Sequence, residues 1–403
     1  MTKKINITLD YSFFFIGATF ALLSNLFLGF KNIEDLGLFN KSYAFFIITG
    51  HLFLFSIHEN LTKNLPIYQN RDKFLASIFF IASCCALLSI FFLFLCKFIF
   101  FDDDYIYKID FIFVFSAIPL FIINKFFLGI LNGDKKFTLY FFLNNLRPIF
   151  IFFLIIILYF LNKKITLTFL FCEIILFIII LLHFKKFHFN FKITNVNLIL
   201  LKEIFIFNFL SLPHSLLSYS FLRIDIIVLS FFTSLENLGY YSLASMFIEG
   251  IYQLMTMMRD RVNPMISKKL FLKQFLWFYF YKQILINISL CICIVLLIFF
   301  FFFPIFSFYS NFDYEISAKI FMIISFGLLF FSTMSSMEHI FLMNNKPFLQ
   351  SAYIIFGNLI NISLNIVLIK KFSIYGAAFA TSITFIILTF IILNYVFKVS
   401  IKK

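Results

Sequence analysis

Long apolar stretches alternate with short polar breaks along this chain. A helix rises 1.5 Å per residue, so about 20 apolar residues span the ~30 Å hydrocarbon core of a bilayer. Twelve stretches qualify: residues 11–30, 39–57, 74–100, 109–131, 137–161, 165–184, 204–232, 238–258, 284–308, 320–343, 348–369 and 372–397. The second is the weakest, because Thr49, His51 and Ser56 interrupt it. Each run is about twice as long as a barrel strand and lacks strict alternation, so the pattern predicts helices. FLWFYFYKQ (residues 275–283), before the ninth run, reads as an aromatic segment at the membrane interface.

The breaks carry most of the charge, and basic residues fall unevenly among them. With the N-terminus inside, the inner breaks hold about 20 Lys and Arg and the outer ones about 9. This predicts two cytoplasmic termini. FDDDY (residues 101–105) lies outside, and the pairs Lys163–Lys164 and Lys370–Lys371 are outer exceptions. The longest connection, residues 185–203, is basic and lies at the middle of the chain.

The two halves echo each other. IEDLGLF (residues 33–39) aligns with LENLGYY (residues 235–241), matching Glu34 with Glu236 and Gly37 with Gly239. The turn 132–136 with NNLR (144–147) mirrors 344–346 with GNLI (357–360), and the two outer lysine pairs form a third echo. Six spans in each half give both halves the same orientation, as in parallel repeats. The domain reading is an N-terminal six-helix lobe over 1–184, a cytoplasmic connection over 185–203 and a C-terminal six-helix lobe over 204–403. The fold class is all-α integral membrane, with about 12 transmembrane helices.

Composition agrees with this pattern. Hydrophobic residues make up 62% of the 403 positions and charged ones 13%, too much apolar surface for a soluble fold to bury. The net charge of +14 lies in clusters between spans rather than on a polar domain, which argues against nucleic acid. The six cysteines fall inside apolar runs without zinc spacing and read as small hydrophobes. No metal site is assigned: the three carboxylates of FDDDY have no catalytic partner and read as solvated charge. The first apolar run lacks a small-residue cleavage site and reads as a retained span.

Several segments together resemble a known family. LRIDIIVLSFFTSLENLGYYSLA (222–244) followed by VNPMISKK (262–269), FGNLINISLNIVLIKKFSIYGAAFATSIT (356–384) and KNIEDLGLFNKSYAF (31–45) look like the corresponding segments of polysaccharide flippases. These are the O-antigen branch of the multidrug/oligosaccharidyl-lipid/polysaccharide exporter superfamily, whose lobes are MATE-like. The C-terminal motif is shared by several branches, and twelve spans are fewer than the lipid II flippases have. The resemblance implies a multi-pass protein of the bacterial inner membrane. Its cargo would be undecaprenyl-pyrophosphate-linked O-antigen or other surface-polysaccharide repeat units, with a polysaccharide polymerase and a chain-length regulator as candidate partners. It implies no enzymatic activity and no cofactor beyond a proton or sodium gradient.

Charges inside spans are rare and mark candidate sites. Arg147, about 15 Å along the fifth span, has a guanidinium fork suited to pyrophosphate, although it also lies within snorkelling reach of the inner face. Arg223 and Asp225 share the seventh span but face different sides, and a structural ion pair is as good a reading. Asp225 extends a stripe through Ser211, His214 and Ser218, and Pro213 beside His214 is a candidate bend. Glu249, beside Gly250, is the leading ion-coupling candidate, because a desolvated carboxyl takes up protons near neutral pH. Glu173 is a second such case. The assignment is therefore Arg147, Arg223 and His214 for substrate, and Glu249, Asp225 and Glu173 for the ion. His51, Lys125, Glu338 and His339 read as interfacial. A MATE-like small-molecule exporter, an O-antigen polymerase or a membrane glycosyltransferase are the alternatives. The short outer loops count against the two enzymes.

Overall fold

The computed structural model describes residues 2–65, 70–99, 105–134, 136–184, 196–220, 223–271, 277–304, 314–344 and 346–401. All regular structure in them is helical. The helices are α1 (Thr2–Lys31), α2 (Ile33–Leu54), α3 (Ile57–Asn64), α4 (Arg71–Ile99), α5 (Tyr105–Gly133), α6 (Phe137–Phe160), α7 (Leu167–Phe184) and α8 (Leu198–Ser220). They continue with α9 (Ile224–Ser230), α10 (Leu235–Phe271), α11 (Trp277–Leu297), α12 (Tyr314–Met334) and α13 (Pro347–Ile401). Eight of them are long and apolar enough to cross a membrane. Helix is the form a lipid-embedded chain favours, because each backbone N–H and C=O finds its partner within the same segment.

Three of the twelve runs are organised differently from their hydropathy. The run 204–232 is not one helix: α8 begins at Leu198 and ends at Ser220, and α9 starts afresh after Arg223. Asp225 therefore sits in the first turn of a helix of its own, with Arg223 at its N-cap. Conversely, α13 holds the last two spans in one helical segment with a kink at Ser373 (φ 52°, ψ −132°). Nor are the cysteines uniformly buried: Cys172 and Cys291 are, whereas Cys293 is exposed on the apolar surface of α11.

The chain forms two compact units whose limits differ from a division at the central connection. The first comprises Met1–Ser24 and Ser42–Ser220. Its centre is aromatic, with fully buried Phe46 edge-on to Phe121 at 5.2 Å and 5.4 Å from Phe169. Positive φ at Phe55 and Ser56 separates α2 from the short α3. Residues 204–220, which the repeat assigns to the second lobe, belong here. Asn208 of α8 accepts a buried hydrogen bond from Asn60 of α3 at 2.6 Å, and Phe205 packs on Phe55. A buried amide pair of this kind holds two helices together, because separating them leaves both groups without partners in oil.

The second unit comprises Asn25–Lys41 and Phe221–Lys403. Phe247, Phe303 and Phe321 pack around its centre, with Phe303 and Phe321 5.4 Å apart. Residues 25–41 join it through glycine. A Cβ on Gly37 would run into the carbonyl oxygen of Leu235, and one on Gly239 into that of Ile33. The two contacts are reciprocal under one offset of 202 positions, which carries 33 to 235 and 37 to 239. Only glycine lets the backbones approach so closely.

A second correspondence lies in the turns. Asp134, Lys136 and Tyr140 donate their backbone N–H groups to Ile130, Leu131 and Lys136. Asn344, Lys346 and Gln350 donate to Ile340, Phe341 and Lys346, the same pattern at a constant offset of 210 positions (134 to 344, 136 to 346, 140 to 350). Helix runs unbroken from both turns, so this register pairs Arg147 with Gly357. The alignment of NNLR with GNLI shifts by three residues accordingly.

Candidate functional site

Each unit buries a polar cluster around a carboxylate, and the two differ in chemistry. In the first unit Arg147 of α6 and Glu173 of α7, read separately in the sequence as a phosphate ligand and an ion site, are partners. Arg147 Nε donates to Glu173 Oε1 at 2.7 Å and its Nη2 to Oε2 at 3.2 Å, with side chains 9% and 1% exposed. Asn124 of α5 donates to Glu173 Oε2 at 2.8 Å and to its backbone oxygen at 3.0 Å. The guanidinium lies 4.9 Å from the centre of the Phe121 ring, a cation–π contact.

Lys125, next to Asn124, is the extra basic group. Its Nζ donates to Asn144 Oδ1 at 3.1 Å and lies 5.8 Å from the same Phe121 ring. His51 packs edge-on against Phe121 at 5.5 Å and against His58 at 5.8 Å. One carboxylate thus faces two basic side chains, with two imidazoles beside them. Such a cluster has capacity for an additional anion. At the start of α3, burial and the nearby Lys125 lower His58 to about 3, and burial raises Glu59 to about 7.

In the second unit Asp225 of α9 is 2% exposed. Tyr241 Oη donates to its Oδ2 at 2.8 Å, Thr381 Oγ1 to the same oxygen at 2.6 Å, and Asn365 Nδ2 to Oδ1 at 3.0 Å. Asn361 backs Asn365, accepting from its amide on Oδ1 at 2.8 Å. Among the described residues no ion pair neutralises Asp225. A carboxylate so far from water requires a proton or a bound cation. The Thr381 hydroxyl is suited to either state: its one proton faces both Asp225 and the carbonyl of Ala377, 3.0 Å away. With Asp225 ionised it donates to the carboxylate; with Asp225 protonated it accepts and donates to Ala377.

Arg223 and Glu249 pair with each other, Nη2 to Oε1 at 2.6 Å, and Gln253 adds a contact at 3.3 Å. The Glu249 side chain is 26% exposed, whereas Asp225 is buried at 2%. His214 lies in α8 after Pro213, and its side chain is outside the described residues, as are residues 101–104 of FDDDY. Glu338 is more than interfacial: it pairs with Arg259 and accepts from Tyr252 Oη at 3.1 Å. Sequence reasoning passed over Tyr241, Asn361, Asn365 and Thr381 as site residues. One signal for them was the spacing of four between Asn361 and Asn365, which puts two amides on one helix face.

No family model matches the chain, and no curated protein matches it in sequence. Solved structures do match in fold. An inward-facing multidrug-resistance MATE family transporter of the MOP superfamily superposes with a TM-score of 0.69 at 12% identity, covering 95% of this chain and 94% of that one. The MATE multidrug transporter DinF-BH, solved as a complex with a bound compound, gives 0.62 at 11% identity over 99% and 97% of the two chains. This chain has the MATE fold. A third MATE-fold match is a MOP superfamily transporter from Pyrococcus furiosus, for which reversed binding-pocket polarity suggests a different function. It gives 0.54 at 12% identity over 98% and 94%. The MATE fold carries a different polar cluster in each unit of this chain. By the offset of the turns, Asn361 and Asn365 correspond to Ile151 and Ile155, and Arg147 to Gly357.

Proposed function

We propose that the chain is a cation-coupled membrane transporter. Its cargo is an undecaprenyl-pyrophosphate-linked oligosaccharide, the repeat unit of O-antigen or another surface polysaccharide, moved outward across a bacterial inner membrane. The observation that carries this reading is the division of chemistry between repeats. The first unit holds Arg147 and Lys125 against Glu173, a basic surplus suited to phosphate oxygens. The second holds an unneutralised carboxylate among oxygen donors, suited to a proton or a sodium ion. A carrier driven by a cation gradient requires both kinds of site, and Asp225 loading is the step that would couple transport to the gradient. Arg223, bound to Glu249, is a secondary candidate for the phosphates, together with His214.

Export of small molecules is the second reading, and the fold match to a multidrug transporter solved as a complex favours it. Deletion separates the two. Loss of a flippase accumulates complete lipid-linked repeat units on the cytoplasmic face and removes surface glycan. Loss of a drug exporter leaves surface glycan intact and lowers resistance to small toxic molecules. Normal glycan in the deletion strain would overturn the proposal; truncated units, or unpolymerised units on the outer face, would favour a glycosyltransferase or a polymerase.

A further inference from the structure

The first span of α13 carries more buried polarity than the Asp225 cluster uses. Gln350, Asn358, Asn361 and Asn365 are each 2% exposed or less. At 100° per residue they fall within an arc of about 80° on one face of the helix. The flank and opposite face are apolar and exposed, with Ile355 at 37%, Phe356 at 48% and Leu359 at 58%.

Packing accounts for little of this stripe. Both amide atoms of Gln350, Asn358 Oδ1, Asn361 Nδ2 and Asn365 Oδ1 have no hydrogen-bond partner among the described residues. Three of these five atoms are carbonyl oxygens, the ligand type that water and small hard cations use, and the two amide nitrogens are donors that water can satisfy. Ser325 Oγ, on α12 of the same unit, is likewise without a partner among the described residues. Nor does the fold require amides there. At the offset of 210 the equivalent positions in the first half are Tyr140, Pro148, Ile151 and Ile155. Buried polar atoms without protein partners take water when the site is polar and roomy enough. From Gln350 to Asn365 the stripe covers about 22 Å of helix, most of the ~30 Å hydrocarbon thickness. Its far end is Asn365, which donates to Asp225.

We propose that this amide stripe lines a narrow hydrated path along which the coupling cation travels between the Gln350 end of α13 and Asp225. The proposal rests on the reading of Asp225 as the cation site and supplies its route of access. The carbonyl oxygens replace hydration water in steps along the path, and the apolar back of the helix keeps lipid out.

Silver ion tests this directly, because it enters water-filled paths too narrow for larger thiol reagents. Single cysteines are placed at Gln350, Asn358, Ile355 and Leu359 in a protein whose six native cysteines are replaced, with Lys346→Cys in the exposed turn as the reactive control. The protein is reconstituted in vesicles, exposed to silver, denatured and counted for remaining thiols. Q350C and N358C should react at least tenfold faster than I355C and L359C. Sodium slowing the reaction at position 358 assigns the path to a metal cation; no slowing assigns it to protons moving along water. Two positions guard against one variant failing to fold. If Q350C and N358C, eluting as folded protein, react no faster than the lipid-facing pair while K346C reacts, the path does not exist. That outcome leaves Asp225 untouched, because its cation binding is read separately from the Asp225→Asn variant.

Discussion

Removing one member of the Arg147–Glu173 pair should destabilise the protein far more than removing both. Arg147→Met leaves Glu173 as a desolvated carboxylate held only by Asn124; Glu173→Leu leaves the guanidinium buried against Phe121 and also strips Asn124 of an acceptor. Breaking a buried ion pair from one side costs about 3–5 kcal/mol, and in the glutamate variant Asn124 keeps its bond to the backbone oxygen of residue 173. The double variant fills the space with apolar atoms and should lie within about 2 kcal/mol of wild type. The coupling energy should therefore be at least about 4 kcal/mol, opposite in sign to the single losses. Unfolding of the four proteins in mild detergent measures it. Losses that add to within about 0.5 kcal/mol would mean that the pair is solvated or unmade. The same double variant also separates structure from transport. If it folds yet fails to restore surface glycan, Arg147 contacts cargo; if it restores glycan fully, the pair is a clamp between α6 and α7.

Three further outcomes follow from the same geometry. Asp225→Asn should fold but lose cation-dependent stabilisation, which in wild type should reach about 2.7 kcal/mol at a hundredfold excess over Kd. Thermal unfolding in sodium against choline, and across pH, measures it; a stabilisation that survives the substitution would rule Asp225 out. Gly37→Ala and Gly239→Ala each place a Cβ against a carbonyl and should lose about 1–3 kcal/mol, whereas Gly250→Ala meets open space and should be neutral or gain up to about 1 kcal/mol. Equal stabilities for the three alanine variants would contradict the close crossing. Glu59, raised to about 7 by burial, binds a proton in the native state that the unfolded chain releases near 4.5, so its contribution falls as pH rises from 4.5 to 7. His58, lowered to about 3, acts in the opposite direction between 3 and 6.5. Glu59→Gln should remove the falling component and leave stability rising from pH 5 to 6.5; an unchanged pH profile would show that Glu59 is not buried.

Helical character and the repeat were legible because both are written in local pattern. The turn before Phe137 and the turn before Phe348 share not only Asn and Lys but a hydrogen-bond scheme, so an alignment of a few polar letters identified a real correspondence. Hydropathy could not reveal that a new helix starts after Arg223, since the run 204–232 is apolar on both sides of it. Nor could it show that residues 204–220 pack with the first unit, which depends on Asn208 meeting Asn60 across 148 positions. Arg147 and Glu173 stood out singly because each is a charge in oil. Their pairing is set by how α6 packs on α7, and no spacing rule reports that. Glu249 and Asp225 looked alike as isolated carboxyls, and only the tertiary neighbours, a guanidinium for one and hydroxyls and amides for the other, distinguish them.

The reciprocal crossing at Gly37 and Gly239 has a consequence for descent. A surface on which position i meets the counterpart of j, while j meets the counterpart of i, is complete with half the sequence, and two copies of a half-length chain would make it by self-association about a two-fold axis. In such a homodimer every substitution appears twice, so a carboxylate gained in one copy is gained in both. Joining the copies end to end removes that restriction. Asp225 then arises opposite Leu23, and Arg147 opposite Gly357, each without its mirror image. Gly37 and Gly239 keep the two-fold relation, whereas Asp225 and Arg147 depart from it.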